Sequence, residues 1–201
     1  MLTTASGQLM AIAHAQENGS NRVATAADGS KSITLNNGTR EAFRKLEFPS
    51  TVRRIYLRNC DMDDASLTRL EGLKQLEYLS LEGSKIHGDG LIVLRSMPAL
   101  KFLCLSGTKI SDESLQHLIG LKNLTILQLD DTKVSDTGIA KLSSLPRLEW
   151  LYLNRTHVTD AAVPSLGHLR ELRFLSLLET SVTDAGVKEL HAMVPSVRVR
   201  R

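Results

Sequence analysis

Apolar residues recur along this chain at a fixed interval of 24, from Val52 through Leu76, Leu100, Leu124 and Leu148 to Leu172. Laid out at that period, residues 52–195 form six rows. Row four reads LTILQLDDTKVSDTGIAKLSSLPR and row six LRFLSLLETSVTDAGVKELHAMVP. Columns 1, 4, 6, 11, 16, 19 and 22 are apolar in every row. A chain that is 42% hydrophobic does not reach such regularity by chance, so the rows are structural units.

Two periods coexist within a row. Columns 4 and 6 alternate with polar or aromatic neighbours, which predicts a strand with one buried face. Columns 16, 19 and 22 are three apart and predict a helix or helical turn with one buried side. Between them stand Ser111-Asp112, Ser135-Asp136, Thr159-Asp160 and Thr183-Asp184, residue types that cap helix starts. Pro98, Pro146 and Pro195 fall in the return segment, where no ladder bond is lost. Each row is therefore strand, turn, helix and return. One row cannot bury its own apolar face, but six stacked rows can, as a solenoid of parallel strands backed by helices. Row two departs with His87-Gly88-Asp89-Gly90, whose glycines weaken a helix start. Row five carries Pro164, which predicts a helix that begins late or shrinks to a turn.

The pattern LxxLxLxxTxVTDAGV resembles the leucine-rich repeats, in a 24-residue variety seen in bacterial proteins, and is similar to the repeats of F-box and ribonuclease-inhibitor-like proteins. The resemblance implies an α/β fold: a right-handed βα superhelix with its parallel sheet on the concave face and short helices on the convex face. It implies a partner-binding role without naming the partner.

The ends of the stack need covers. Residues 33–46 read as a shortened row, with Ile33, Leu35 and Asn37 matching Ile55, Leu57 and Asn59. Thr39 is placed to cap a helix presenting Phe43 and Leu46, so residues 31–51 are expected to form an N-terminal cap. Residues 196–201, SVRVRR, read as a final edge strand whose arginines discourage further pairing, with an anionic docking site as the functional alternative. Residues 1–30 are rich in Ala, Ser, Thr, Gly and Asn and read as a disordered tail or a truncated export leader. Ala13-His14-Ala15 resembles a cleavage site, yet no Lys or Arg precedes Arg22. A leader would imply export to the cell envelope; without one the expectation is cytoplasmic.

Composition removes whole classes of function. The net charge of +3 is too small to argue for nucleic acid, and no apolar run approaches a membrane span. Cys60 and Cys104 lie two rows apart, about 10 Å at strand spacing, so they are expected to be free thiols in a monomer. Cys104, at column 5, is expected to be exposed on the concave face. No histidine lies within reach as its base, and no phosphate loop or carboxylate pair suggests an enzyme. Asp130 and Asp131 read as a solvated acidic rim ahead of a metal site. No cofactor is expected.

One constellation remains. Of the eight aromatic residues, Tyr78, Phe102, Trp150 and Phe174 occupy column 3 and Tyr56 and Tyr152 column 5. These columns flank inward column 4 and so project from the concave sheet. They predict an exposed aromatic strip that binds a protein or peptide, with Arg58, Glu82, Asp130, Asp131, Arg155 and Glu179 as its polar rim. The alternative is a ladder of rings stacked between rows for sheet stability. Two other functional readings stand beside partner binding. One is the substrate-recognition part of an F-box-type ubiquitin-ligase adaptor, for which residues 1–50 are short and polar. The other is a carbohydrate-binding surface.

Overall fold

The computed structural model describes residues 22–25 and 31–201. Its nine strands form one sheet in chain order: β1 Arg22–Thr25, β2 Lys31–Asn36, β3 Val52–Arg58, β4 Tyr78–Ser80, β5 Phe102–Cys104, β6 Ile126–Gln128, β7 Trp150–Tyr152, β8 Phe174–Ser176 and β9 Arg198–Arg200. All neighbours from β2 onward are parallel, and their register is set by the row: Leu79 pairs with Leu103, Leu103 with Leu127, Leu127 with Leu151. β1 runs antiparallel to β2 and covers its edge. The expectation of a disordered tail through residue 30 is therefore corrected at Arg22–Thr25. Parallel β2 offers an outer row of backbone donors and acceptors, and a short antiparallel strand satisfies it. The rest of that expectation lies outside the described residues.

The seven apolar columns build the core. Every one of their residues is buried except Val187 and Met193, which are partly buried. Both belong to the helix of row six, which among the described residues has a neighbouring helix on one side only.

The backing layer is mostly 3-10 helix: Asp64–Leu70, Asp89–Ser96, Asp112–His117 and Asp160–Ala162. Side chains at i and i+3 eclipse in a 3-10 helix, so the three-residue spacing of the apolar columns suits it, although rows four and six carry the same spacing on α-helices. Only Asp136–Leu142, Val163–Leu166 and Asp184–Met193 are α-helical behind the six rows. Row five starts its α-helix late, with Pro164 in the first turn, where a missing N–H costs nothing.

Column 8 turns the chain out of the sheet, and it is left-handed in every row. Asn59, Gly83, Gly107, Asp131, Arg155 and Glu179 all have φ between 50° and 68°, as does Asn37 before them. Asn and Gly accept this readily, whereas Arg155 and Glu179 are held there at a cost of roughly 1–2 kcal/mol each. In rows one to five the column-8 amide continues the ladder, as Arg155 does to the Leu178 carbonyl at 2.8 Å, and this offsets the local preference.

The N-terminal helix Arg40–Arg44 is capped by the Thr39 hydroxyl, which accepts from the Ala42 amide at 3.1 Å. Phe43 is buried, and Leu46 packs partly buried against the core. Arg69 ties this helix to row one, donating to the Phe43 carbonyl at 2.5 Å and the Leu46 carbonyl at 2.7 Å.

Candidate functional site: the sheet face opposite the core

The polar motif between strand and helix is consumed by stacking. The Asp112 carboxylate accepts from the amide (2.8 Å) and hydroxyl (2.6 Å) of Ser135, one row further on. Asp136 does the same for Thr159, and Asp160 for Thr183. Asp64 accepts three amides of row two, those of His87, Gly88 and Gly90. Small residues two positions after each aspartate make room for the carboxylate behind. A Cβ on Gly138 would sit 2.3 Å from an Asp112 oxygen, and one on Gly186 2.1 Å from an Asp160 oxygen. Sequence reasoning identified the Ser/Thr as caps; Thr159 and Thr183 do cap, accepting from Ala161 and Gly186, but the aspartates join rows. Column 9 is likewise structural: the hydroxyls of Thr108, Thr132 and Thr156 are buried and donate to carbonyls three residues back at 2.5–2.6 Å.

What remains is the sheet face turned away from the core, which is concave in this fold class. It carries a second apolar cluster separate from the main core. Phe102, Cys104 and Ile126 are its buried centre, and Tyr78, Trp150 and Tyr152 pack around them half-buried. Tyr78 and Phe102 rings stack at 6.0 Å between centroids. Phe174 joins from the next row, 5.2 Å from Trp150 and 5.4 Å from Tyr152. Arg54 lies over Tyr78 at 5.3 Å and Arg58 over Tyr56 at 5.7 Å.

Two expectations need correction. Cys104 is not exposed; it is 3% accessible, because it sits in the second apolar cluster with Phe102 and Ile126, packed round by Tyr78, Trp150 and Tyr152. Burial pushes its thiol up to about 11, the reverse of what a nucleophile needs. The strip is also less open than its column predicts. Phe102 is 9% accessible, and the half-buried rings of Tyr78, Trp150, Tyr152 and Phe174 form the accessible part.

The rim residues come together in pairs along the strand ends. Arg155 grips Asp131 bidentately at 2.5 and 2.6 Å and lies 3.6 Å from Glu179. Its hydrogen bonds hold the Asp131 carboxyl below the usual carboxylate range. Arg58 lies 3.5 Å from Glu82. Asp130 accepts from the Asn154 amide at 2.7 Å, as Asn154 in turn accepts from Leu178 at 2.9 Å. Burial pushes the Asp130 carboxyl above its ordinary value despite that bond. Burial also raises the phenols of Tyr56 and, with help from Asp130, Tyr152. Among the described residues no three His, Cys, Asp or Glu side chains converge as metal ligands would. Among them, too, no helix is long and apolar enough to cross a membrane.

Solved structures with this architecture include internalin C2 of Listeria monocytogenes, 22% identical, with a TM-score of 0.60 over 84% of this chain and 69% of that one. Another is a leucine-rich repeat protein of Leptospira interrogans, 21% identical, with a TM-score of 0.61 over 77% of this chain and 40% of that one. At these identities the likeness is one of fold. A search of curated proteins returns no significant match. The family model described as "Leucine-rich repeat region" matches residues 30–197, nearly the whole described solenoid, and the chain belongs to that family.

Proposed function

We propose that this chain is a non-catalytic interaction module that holds a protein or peptide partner on the sheet face opposite its core. Leucine-rich repeat solenoids serve as interaction modules as a class, presenting an extended concave surface. The observation that carries the reading is the second apolar cluster. Rings on the solvent side of a sheet, half-buried yet separate from the core, supply contact area at low entropy cost. The paired charges along the strand ends form a polar border around it. The catalytic alternatives lack reactive groups: the Cys104 thiol is buried, and Asp130 and Asp131 are engaged with neighbouring rows.

The test is selection of a displayed random-peptide library on the full chain, followed by binding of the selected peptides to Trp150→Ala. A loss of about tenfold or more, with the fold intact by circular dichroism, supports the reading. Equal binding by the variant refutes it.

A further inference from the structure

Charge along the starts of the strands is balanced until the C-terminal end. At column 2, Glu77 is shared by Arg53 at 2.6 Å and Lys101 at 2.9 Å. Burial would raise the Glu77 carboxyl, but the hydrogen bonds from Lys101 and Arg53 outweigh it and hold it low. Further on, Arg173 faces Glu149 at 3.4 Å. In the next strand column 2 is Val197, so the series ends without an acid.

At that point lies an open cleft of about 470 Å³, lined by Arg170, Glu171, Arg173, Ser196 and Arg198. Its lining holds three arginines and one acidic residue. Arg170 is held by the Met193 carbonyl at 3.2 Å, an uncharged partner. Among the described residues Arg173 makes only the long pair with Glu149. Arg198 makes no ion pair and no side-chain hydrogen bond among the described residues. Its place in the sheet is specific. Trp150, Phe174 and Arg198 are consecutive partners across β7, β8 and β9, so the arginine stands one strand beyond two packed rings. At the opposite end of the same column, Arg54 is stacked on Tyr78.

We infer that this cleft is an anion subsite of the interaction face, receiving an acidic side chain of a partner whose neighbouring apolar residue packs on Trp150 and Phe174. The inference rests on the reading proposed above and adds the chemistry of the partner. A guanidinium fork binds a carboxylate through two parallel hydrogen bonds, and Arg198 has its donors unspent. Serine supplies a further hydroxyl at the wall. Glu171 opposes dense negative charge, which favours a carboxylate-bearing peptide over a polyanion. Positive charge at the edge of an apolar patch also steers encounter with an acidic partner.

The experiment uses the full chain and the same displayed random-peptide library. The selected peptides are expected to be enriched in Asp or Glu beside an apolar residue. Arg198→Glu should weaken them by tenfold or more and flatten their salt dependence, with an unchanged melting temperature, because Arg198 is exposed and makes no ion pair among the described residues. Arg198→Lys, which keeps charge but loses the fork, should fall between. Peptides without acid enrichment, or binding to Arg198→Glu within twofold of the parent, overturn the subsite. If Trp150→Ala still abolishes binding in that case, the interaction face stands and only the anion subsite fails. Selection of no peptide overturns both. A preference for heparin over acidic peptides, lost in Arg198→Glu, overturns the assignment to a carboxylate.

Discussion

Gly88 stands where the other rows all carry Asp, and Ser114, against it in row three, stands where rows two, four, five and six carry Gly or Ala. Row two has no carboxylate at this position, and the Ser114 side chain of row three fills the space: a Cβ on Gly88 would lie 1.9 Å from its hydroxyl oxygen. That hydroxyl donates to the His87 carbonyl at 3.0 Å. Gly88 also sits at φ 126°, a backbone state that side chains rarely adopt. Gly88→Ala is expected to cost about 2 kcal/mol or more, and Ser114→Gly about 1 kcal/mol for the lost bond and the flexible residue. The double variant should be more stable than the sum, by at least about 0.5 kcal/mol, because the clash is removed. Urea denaturation of the four proteins checks this, and strict additivity would show that the two residues do not meet.

The row-joining aspartates should matter only where a next row exists. Asp136 accepts two hydrogen bonds from Thr159, whereas Asp184, in the last row, reaches only Arg201 on the surface, at 2.6 Å. Asp136→Ala should cost about 1.5–3 kcal/mol, as bonds to a charged group do. Asp184→Ala should leave the melting temperature unchanged within error. Equal losses would mean that the carboxylates act through their own helices.

Trp150 and Leu151 are adjacent in β7 but face opposite sides, half-buried and fully buried respectively. Leu151→Ala should cost about 2–5 kcal/mol of stability. Trp150→Ala should cost clearly less, and should weaken a bound peptide by about 2 kcal/mol or more. Thermal melts set beside peptide titrations separate the two effects. Equal destabilisation would make the rings a ladder for the sheet alone.

Asp130 and Asp131 are expected to respond to pH in opposite directions. Asp131 is held below the ordinary value of about 4, so its contribution is present above that pH and lost as acid protonates the folded carboxylate. Asp130 is raised by burial, so its charge costs stability above its folded value, and the cost disappears as pH falls. Asp130→Asn keeps the acceptor that Asn154 uses in the next row. It should raise the melting temperature at pH 7, and the gain should vanish near pH 3. A gain that grows in acid would contradict burial as the cause.

Both thiols are buried and unpaired with each other. The native chain should react with neither iodoacetamide nor Ellman's reagent on the timescale of minutes. Two thiols should titrate once guanidinium unfolds it. Rapid labelling of one thiol in the native chain, mapped to Cys104 by peptide mass spectrometry, would place Cys104 in solvent.

The sequence by itself determined the 24-residue row, the strand and helix within it, the apolar columns and the face on which Trp150 and Tyr152 stand. These follow from local alternation and spacing, which a repeat states six times over. It also marked both departures, at Gly88 and Pro164. Only the tertiary structure decided what lies across rows. Thr159 meets Asp136 although 23 residues separate them, because strand spacing brings equivalent columns together. The same proximity buries Cys104 beneath its neighbours, forces Arg155 into a left-handed turn, and leaves Arg198 beside Phe174 with no acid opposite. A row's own pattern encodes how it folds; which side chains it lends to the next row depends on the distance between strands, and that distance exists only in the stack.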